Sequence, residues 1–228
     1  MTVRQDAAVA ERKHRYLRGE PSLPGRRTGR LVVVGAAPYP PPWVRAWCRE
    51  AGWRLDARPL PTPVPGRRPV PVPLIADIAE LAADPVLVLP PGAAADRLPD
   101  VTAALHGLPD DAAVLAAAAD AARHLGVRVV LTHGLPLSFA ERSVGLPSAL
   151  DHARLLLVAA VRRLAAEAPG VPVTTQLVRA HPHELVGEDL DTGLLVVGGP
   201  RRDELDGLGL VARSALHHAA CPTLIVPR

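Results

Sequence analysis

The sequence predicts an α/β fold in which a parallel five-stranded sheet, flanked by helices, is preceded by a shortened α/β lobe. Three observations carry this. Short apolar runs alternate with stretches of helical periodicity along most of the 228 residues. Runs such as RLVVVG and LLVVG are hydrophobic throughout, as in strands buried on both faces of a parallel sheet. Hydrophobic residues make up 48% of the chain and aromatics only 3%, so the core is built from Ala, Val and Leu.

RLVVVG at 30–35 reads as the first buried strand. The prolines of PYPPPW forbid a helix until Trp43, and WVRAWCREAGW then carries apolar residues at helical spacing. WRLDARPL at 53–60 is the second strand. In PTPVPGRRPVPVP, residues 61–73, the proline density excludes an ordinary helix or a central strand, leaving a polyproline-like connector. LIADIAELAAD resumes a helix at 74–84, and PVLVLPP at 85–91 is a third strand.

From residue 100 the pattern is cleaner. VTAAL at 101–105 is a strand, HGLPDD a turn, and DAAVLAAAADAARHLG a helix closed by Gly126. VRVVLTH at 127–133 is the next strand, followed by the loop GLPLSFAERSVGLPS and the long amphipathic helix SALDHARLLLVAAVRRLAAEAPG. VPVTTQLV at 171–178 alternates as a strand near an edge does. HPHELVGEDL is a short helix, LLVVG a buried strand, GLGLVARSALHHAA a helix and PTLIVP the final strand. Alternation of this kind places helices on both faces of one sheet, and right-handed crossovers bring the loops that follow strands to one edge. His106, His133 and the Gly198 loop become neighbours by topology alone.

Charge adds little. The formal net charge is +3, and much of the surplus is crowded into a basic arm at 1–29. A solvated arm of this size is not a nucleic-acid footprint. No apolar stretch is of bilayer-spanning or signal length, and the two cysteines, Cys48 and Cys221, imply no disulfide framework. The expectation is a cytoplasmic protein with no nucleic-acid or membrane partner.

Two stretches carry a resemblance. VTAALHGLPDDAAVLAAAADAARHLGVRVVLTHG is similar to the opening of a universal stress protein, and LLVVGGPRRDELDGLGLVARSALHHAACPTLIVPR resembles the end of one. The resemblance implies a Rossmann-like domain of the adenine nucleotide alpha hydrolase type at 97–228. It also explains the first part of the chain. Many members of the family are tandem repeats, and residues 30–96 look like a repeat that lacks its central strand–helix–strand portion. Because the family pairs domains through their last strands, residues 85–89 are expected to pair with 222–227 as an internal pseudo-dimer. A homodimer of such chains is the further assembly it implies.

In that family an acidic residue at the end of the first strand contacts the nucleotide, and a loop of the form G-x2-G-x9-G-[ST] holds the phosphates. Glycines let backbone N–H groups approach the anion, and the following helix adds favourable partial charge. The residues here that match by position are His106, Gly107, Thr132, Gly198, Gly199, Arg201, Arg202 and Gly209. Several depart from the pattern. His106 replaces the acid, and Arg201 stands where the second glycine belongs. The stretch to Gly209 is two residues short, Leu210 replaces the hydroxyl, and Asp203, Glu204 and Asp206 add opposing charge. The arginine pair is the compensating feature, since guanidinium groups bind phosphate bidentately. The resemblance therefore implies a stress-response and interaction module with lost or weakened ATP binding. Its alternative is a sensor that holds ATP, AMP or another adenine nucleotide in the 198–209 loop.

Other constellations are weaker. His181, His183, Glu184, His217 and His218 do not assemble three metal ligands at recognised spacing. Ser138, Ser143, Ser148 and Ser214 lack a nucleophile-elbow spacing. No catalytic residue, resident cofactor or metal is expected.

Overall fold

The computed structural model describes residues 29–35, 40–59, 84–90, 99–135, 146–187, 190–199 and 207–228. Nearly all of the basic arm, the proline-rich 61–73 segment and most of the expected 74–84 helix lie outside them. In the first part of the chain, β1 (Arg30–Gly35), α1 (Pro42–Ala51), β2 (Arg54–Pro59) and β3 (Val86–Leu89) are described. In the second, β4 (Asp100–Leu105), α2 (Ala112–Leu125), β5 (Arg128–Gly134), α3 (Leu146–Glu167) and β6 (Val173–Val178) are followed by a 3-10 turn (Glu184–Val186), β7 (Leu194–Gly198), α4 (Leu210–His218) and β8 (Thr223–Val226).

The helices start and stop where local chemistry dictates. α1 opens with Pro42 in its first turn, where the missing N–H costs nothing, and closes on Gly52 at φ 70. α2 closes on Gly126 at φ 68, a left-handed position that glycine takes without strain. α3 begins at Leu146, ahead of the expected Ser148, because Pro147 is tolerated in a first turn. The expected short helix after Pro182 contracts to a single 3-10 turn.

The sheet is larger than the five strands expected for the second part of the chain. Its order is β2-β1-β3-β8-β7-β4-β5-β6. β1, β2 and β3 run parallel to one another, and so do the other five strands. The joint between the two sets is antiparallel, with Val86 opposite Ile225, Leu87 opposite Leu224 and Val88 opposite Thr223. The carboxyl ends of the two sets therefore lie at opposite edges of one eight-stranded sheet, and the joint covers two edges that would otherwise carry unpaired backbone groups.

Side chains of the sheet divide between two cores. One face packs Leu31, Leu87, Leu131 and Leu224 with Trp47 of α1, Leu115 of α2 and Leu157 of α3. The other packs Val34, Val88, Val197 and Ile225 with Ala212 and Ala215 of α4 and Val186 of the 3-10 turn. Both cores run across the joint. α2 sits between α1 and α3 and buries Val114, Leu115 and the alanines at 117, 118, 119, 121 and 122. Trp47 Nε1 donates to Asp120 on α2 at 3.0 Å, which ties the first part of the chain to the second.

Candidate functional site

The carboxyl ends of β4, β5, β7 and β8 meet at one sheet edge. Leu105 lies opposite His133. The β4–β7 register, which pairs Ala103 with Val196, places Gly198 beside Leu105 two residues on. Gly198 in turn lies opposite Val226. This is the edge at which an open parallel sheet binds ligands, outside the carboxyl ends of its strands.

An internal ion pair occupies the crevice. Asp111, which immediately precedes α2, is buried at 1% exposure. One carboxylate oxygen accepts the backbone N–H of His106 at 2.5 Å and that of Gly107 at 2.8 Å. The other oxygen accepts Arg228 Nη1 at 3.3 Å. Arg228 Nε also donates to the carbonyl of Gly199 at 3.0 Å. The guanidinium lies so close over Gly198 that a Cβ there would stand 2.6 Å from Nε and 2.9 Å from Cζ. A side chain at Gly198 would therefore push the arginine aside. Gly199 is also close-packed, and its N–H donates to the Val226 carbonyl at 2.7 Å.

The residues assigned by resemblance distribute unevenly around this pair. His106 exposes its side chain, while its N–H and that of Gly107 are engaged by Asp111. Gly209 immediately precedes α4 at φ −61, with nothing near the Cβ it lacks, and the left-handed glycine of the loop is Gly207 at φ +67. Thr132 lies on the opposite sheet face from Leu131 by strand alternation. Its hydroxyl is buried without a hydrogen-bond partner among the described residues. Arg201 and Arg202, with Asp203, Glu204 and Asp206, lie outside the described residues.

His133 contributes a fixed ring. Its Nδ1 lies 2.8 Å from the Leu105 carbonyl, which can only accept, so Nδ1 carries the proton. Asp111 and Arg228 had no role in the sequence reading. An aspartate directly before the alanine run was a legible helix-start signal. Nothing local marks Arg228, whose partner is 117 residues away.

The other clusters resolve into structure. The His181 and His183 rings stack at 5.5 Å, and Ser214 Oγ donates to the His183 carbonyl at 2.7 Å. No group of three or more metal-ligating side chains forms among the described residues. Burial pushes the Cys48 and Cys221 thiols up from 9.0 to about 11, which keeps both neutral and unreactive at ordinary pH. No helix among the described residues is long and apolar enough to cross a membrane.

The family comparison bears on the second part of the chain. The family model described as "Universal stress protein family" matches residues 100–227. Among solved structures, a universal stress protein from Archaeoglobus fulgidus is 25% identical, covering 56% of this chain and 97% of its own, with a TM-score of 0.48. A structure of the universal stress protein from that organism in complex with dAMP is 25% identical over 56% of this chain and 96% of its own, at 0.45. The universal stress protein UspA from Lactobacillus plantarum is 16% identical, covering 58% of this chain and 99% of its own, at 0.49. No curated protein matches the chain.

Proposed function

The chain belongs to the universal stress protein family, and from that premise we propose a non-catalytic, cytoplasmic stress-response and interaction module whose nucleotide affinity is lost or weakened. The observation that carries this reading is the Asp111 carboxylate. It takes two backbone donors at the end of β4 and holds Arg228 against the Gly198 turn, so the polar groups of this edge already satisfy one another. Arg228 neutralises the carboxylate from within and covers the Gly198 turn. The antiparallel β3–β8 joint supports reading the two parts of the chain as an internal pseudo-dimer.

Thermal denaturation with ATP, AMP and cAMP at millimolar concentration tests this reading. A ligand bound at 100 times its Kd stabilises the folded state by about 2.7 kcal/mol, so retained affinity is hard to miss. The expected shift is below about 1 °C for each nucleotide. A saturable shift of several degrees overturns the proposal.

A second reading, an adenine-nucleotide sensor, is favoured by two observations. The Thr132 hydroxyl is buried and unpartnered among the described residues, and the Arg228 guanidinium lies beside Gly198. In that reading a phosphate displaces Asp111 from Arg228, with Arg201 and Arg202 adding further charge. It predicts a nucleotide-dependent shift that Arg228→Ala or Arg201→Ala removes.

A further inference from the structure

At the far end of the sheet from the joint, α3 does not fully cover the last strand. A groove of about 730 Å³ opens between them. Its apolar wall includes Leu150, Val158 and Leu177, with Val158 46% exposed. Arg154, Arg162 and Arg179 stand along it. Arg154 pairs with Asp151 at 3.4 Å on the exposed surface. Arg162 and Arg179 have no bonded partner among the described residues, and both are exposed.

Among the described residues, nothing pairs with the outer side of the strand beside this groove. β6 ends the strand order and bonds only to β5 among the described residues. Natural edge strands are usually blunted by lysine, proline or a bulge. β6 reads VTTQLV, with no charge and no proline, and Thr174, Thr175 and Gln176 are exposed. Thr175 and Leu177 share the face toward α3, where Leu177 packs against the core that holds Leu157.

We propose that this edge and groove together dock an extended segment of a partner protein bearing acidic and apolar side chains on one face. The segment adds as a strand to the outer side of β6. An added strand lies about 4.8 Å outward and directs every second side chain onto the α3 face, which is the groove. Its apolar residues meet Leu150, Val158 and Leu177, and its carboxylates meet the arginines. Arg162 and Arg179, with Arg154 held only by its exposed pair with Asp151, ask for more than one carboxylate, more than a single-headed amphiphile supplies. A second copy of this chain, paired β6 to β6 about a two-fold axis, would bring its own three arginines against these. Charge complementarity therefore favours an acidic partner over both.

Fluorescence anisotropy on the full chain at low salt tests the proposal. The probe is a fluorescein-labelled peptide of about nine residues, a strand's length. Glutamate and valine take turns at every second position, with threonine between. Saturable binding is expected, weakened about tenfold by Arg162→Glu combined with Arg179→Glu, which is about 1.4 kcal/mol. N-methylation of the peptide amides that face β6 should weaken it similarly on the unaltered protein. A peptide with lysine for glutamate should not bind. Absence of binding at millimolar peptide overturns the proposal, as does binding indifferent to both charge reversal and N-methylation. Dodecanoate binding without peptide binding, or a homodimeric mass lost on charge reversal, also overturns it in favour of an amphiphile or a second copy. None of these outcomes touches the strand-end crevice, so the nucleotide reading stands or falls separately.

Discussion

β1 and β4 are alike as strands and are followed by different helix starts. Both are short, parallel and almost wholly buried, and each feeds a helix that packs on the same sheet face. After β4 the chain turns through His106 and Gly107, and Asp111 binds that turn before α2 begins. α1 instead begins directly after Pro41, which carries no side-chain acceptor for the turn before it. The helices differ as well. α1 and its flank hold all three tryptophans, with Trp47 centred 6.4 Å from Trp43 and 5.2 Å from Trp53. α2 presents mainly alanines. The first region has what a sheet needs for packing and pairing, and among the described residues the charged group that organises a strand end sits on the α2 side of this pair.

Breaking the packing side of that contrast should have the largest effect. Trp47→Ala should cost about 3–5 kcal/mol. Because both cores cross the joint, residual tryptophan fluorescence and far-ultraviolet circular dichroism should still report one coincident transition. Separate melting of the first region would refute the shared core. Leu224→Ala, next to the joint and opposite Leu87, should follow at about 2–4 kcal/mol, again in a single transition by denaturant.

Asp111→Ala probes the feature that α1 lacks. It leaves two N–H groups and a partly buried guanidinium without their acceptor, and should cost about 2–4 kcal/mol by urea denaturation. A cost below about 0.5 kcal/mol, typical of a surface change, would mean that the pair organises nothing.

The smallest effect comes from pH. Both thiols are raised from 9.0 to about 11, so folding favours their neutral form. That contribution is fully present below pH 9.0 and is lost as pH rises through about 11. Stability measured against pH should decline across this window, and Cys48→Ala should reduce the slope. An unchanged slope would assign the alkaline loss to other groups.

Much of this architecture was legible in the sequence because its signals are local. Gly52 and Gly126 end helices for the reason their position suggests, and the uniform runs at β1, β3 and β7 are buried strands. β6 is the edge that its polar run Thr174, Thr175 and Gln176 fits. The turn after His183 was harder, since a proline at 182 and a glycine at 187 bracket too few residues for an α-helix. At the strand ends the limit is one of range. What lies against Gly198 depends on Arg228, 30 positions along, and on Asp111 far upstream. No periodicity encodes that contact. Arg201 and Arg202, the pair on which the sensor reading leaned, lie outside the described residues.

The alanines of α2 set a thickness. Apart from Val114 and Leu115, its buried side chains have one carbon, so this helix acts as a shim whose width fixes the spacing of the sheet, α1 and α3 at once. A single added branch, such as Ala118→Val, would be a wedge with nowhere to go, because each neighbour is itself pinned to the sheet. Tolerance to enlargement should therefore be lowest in the plainest stretch of the sequence.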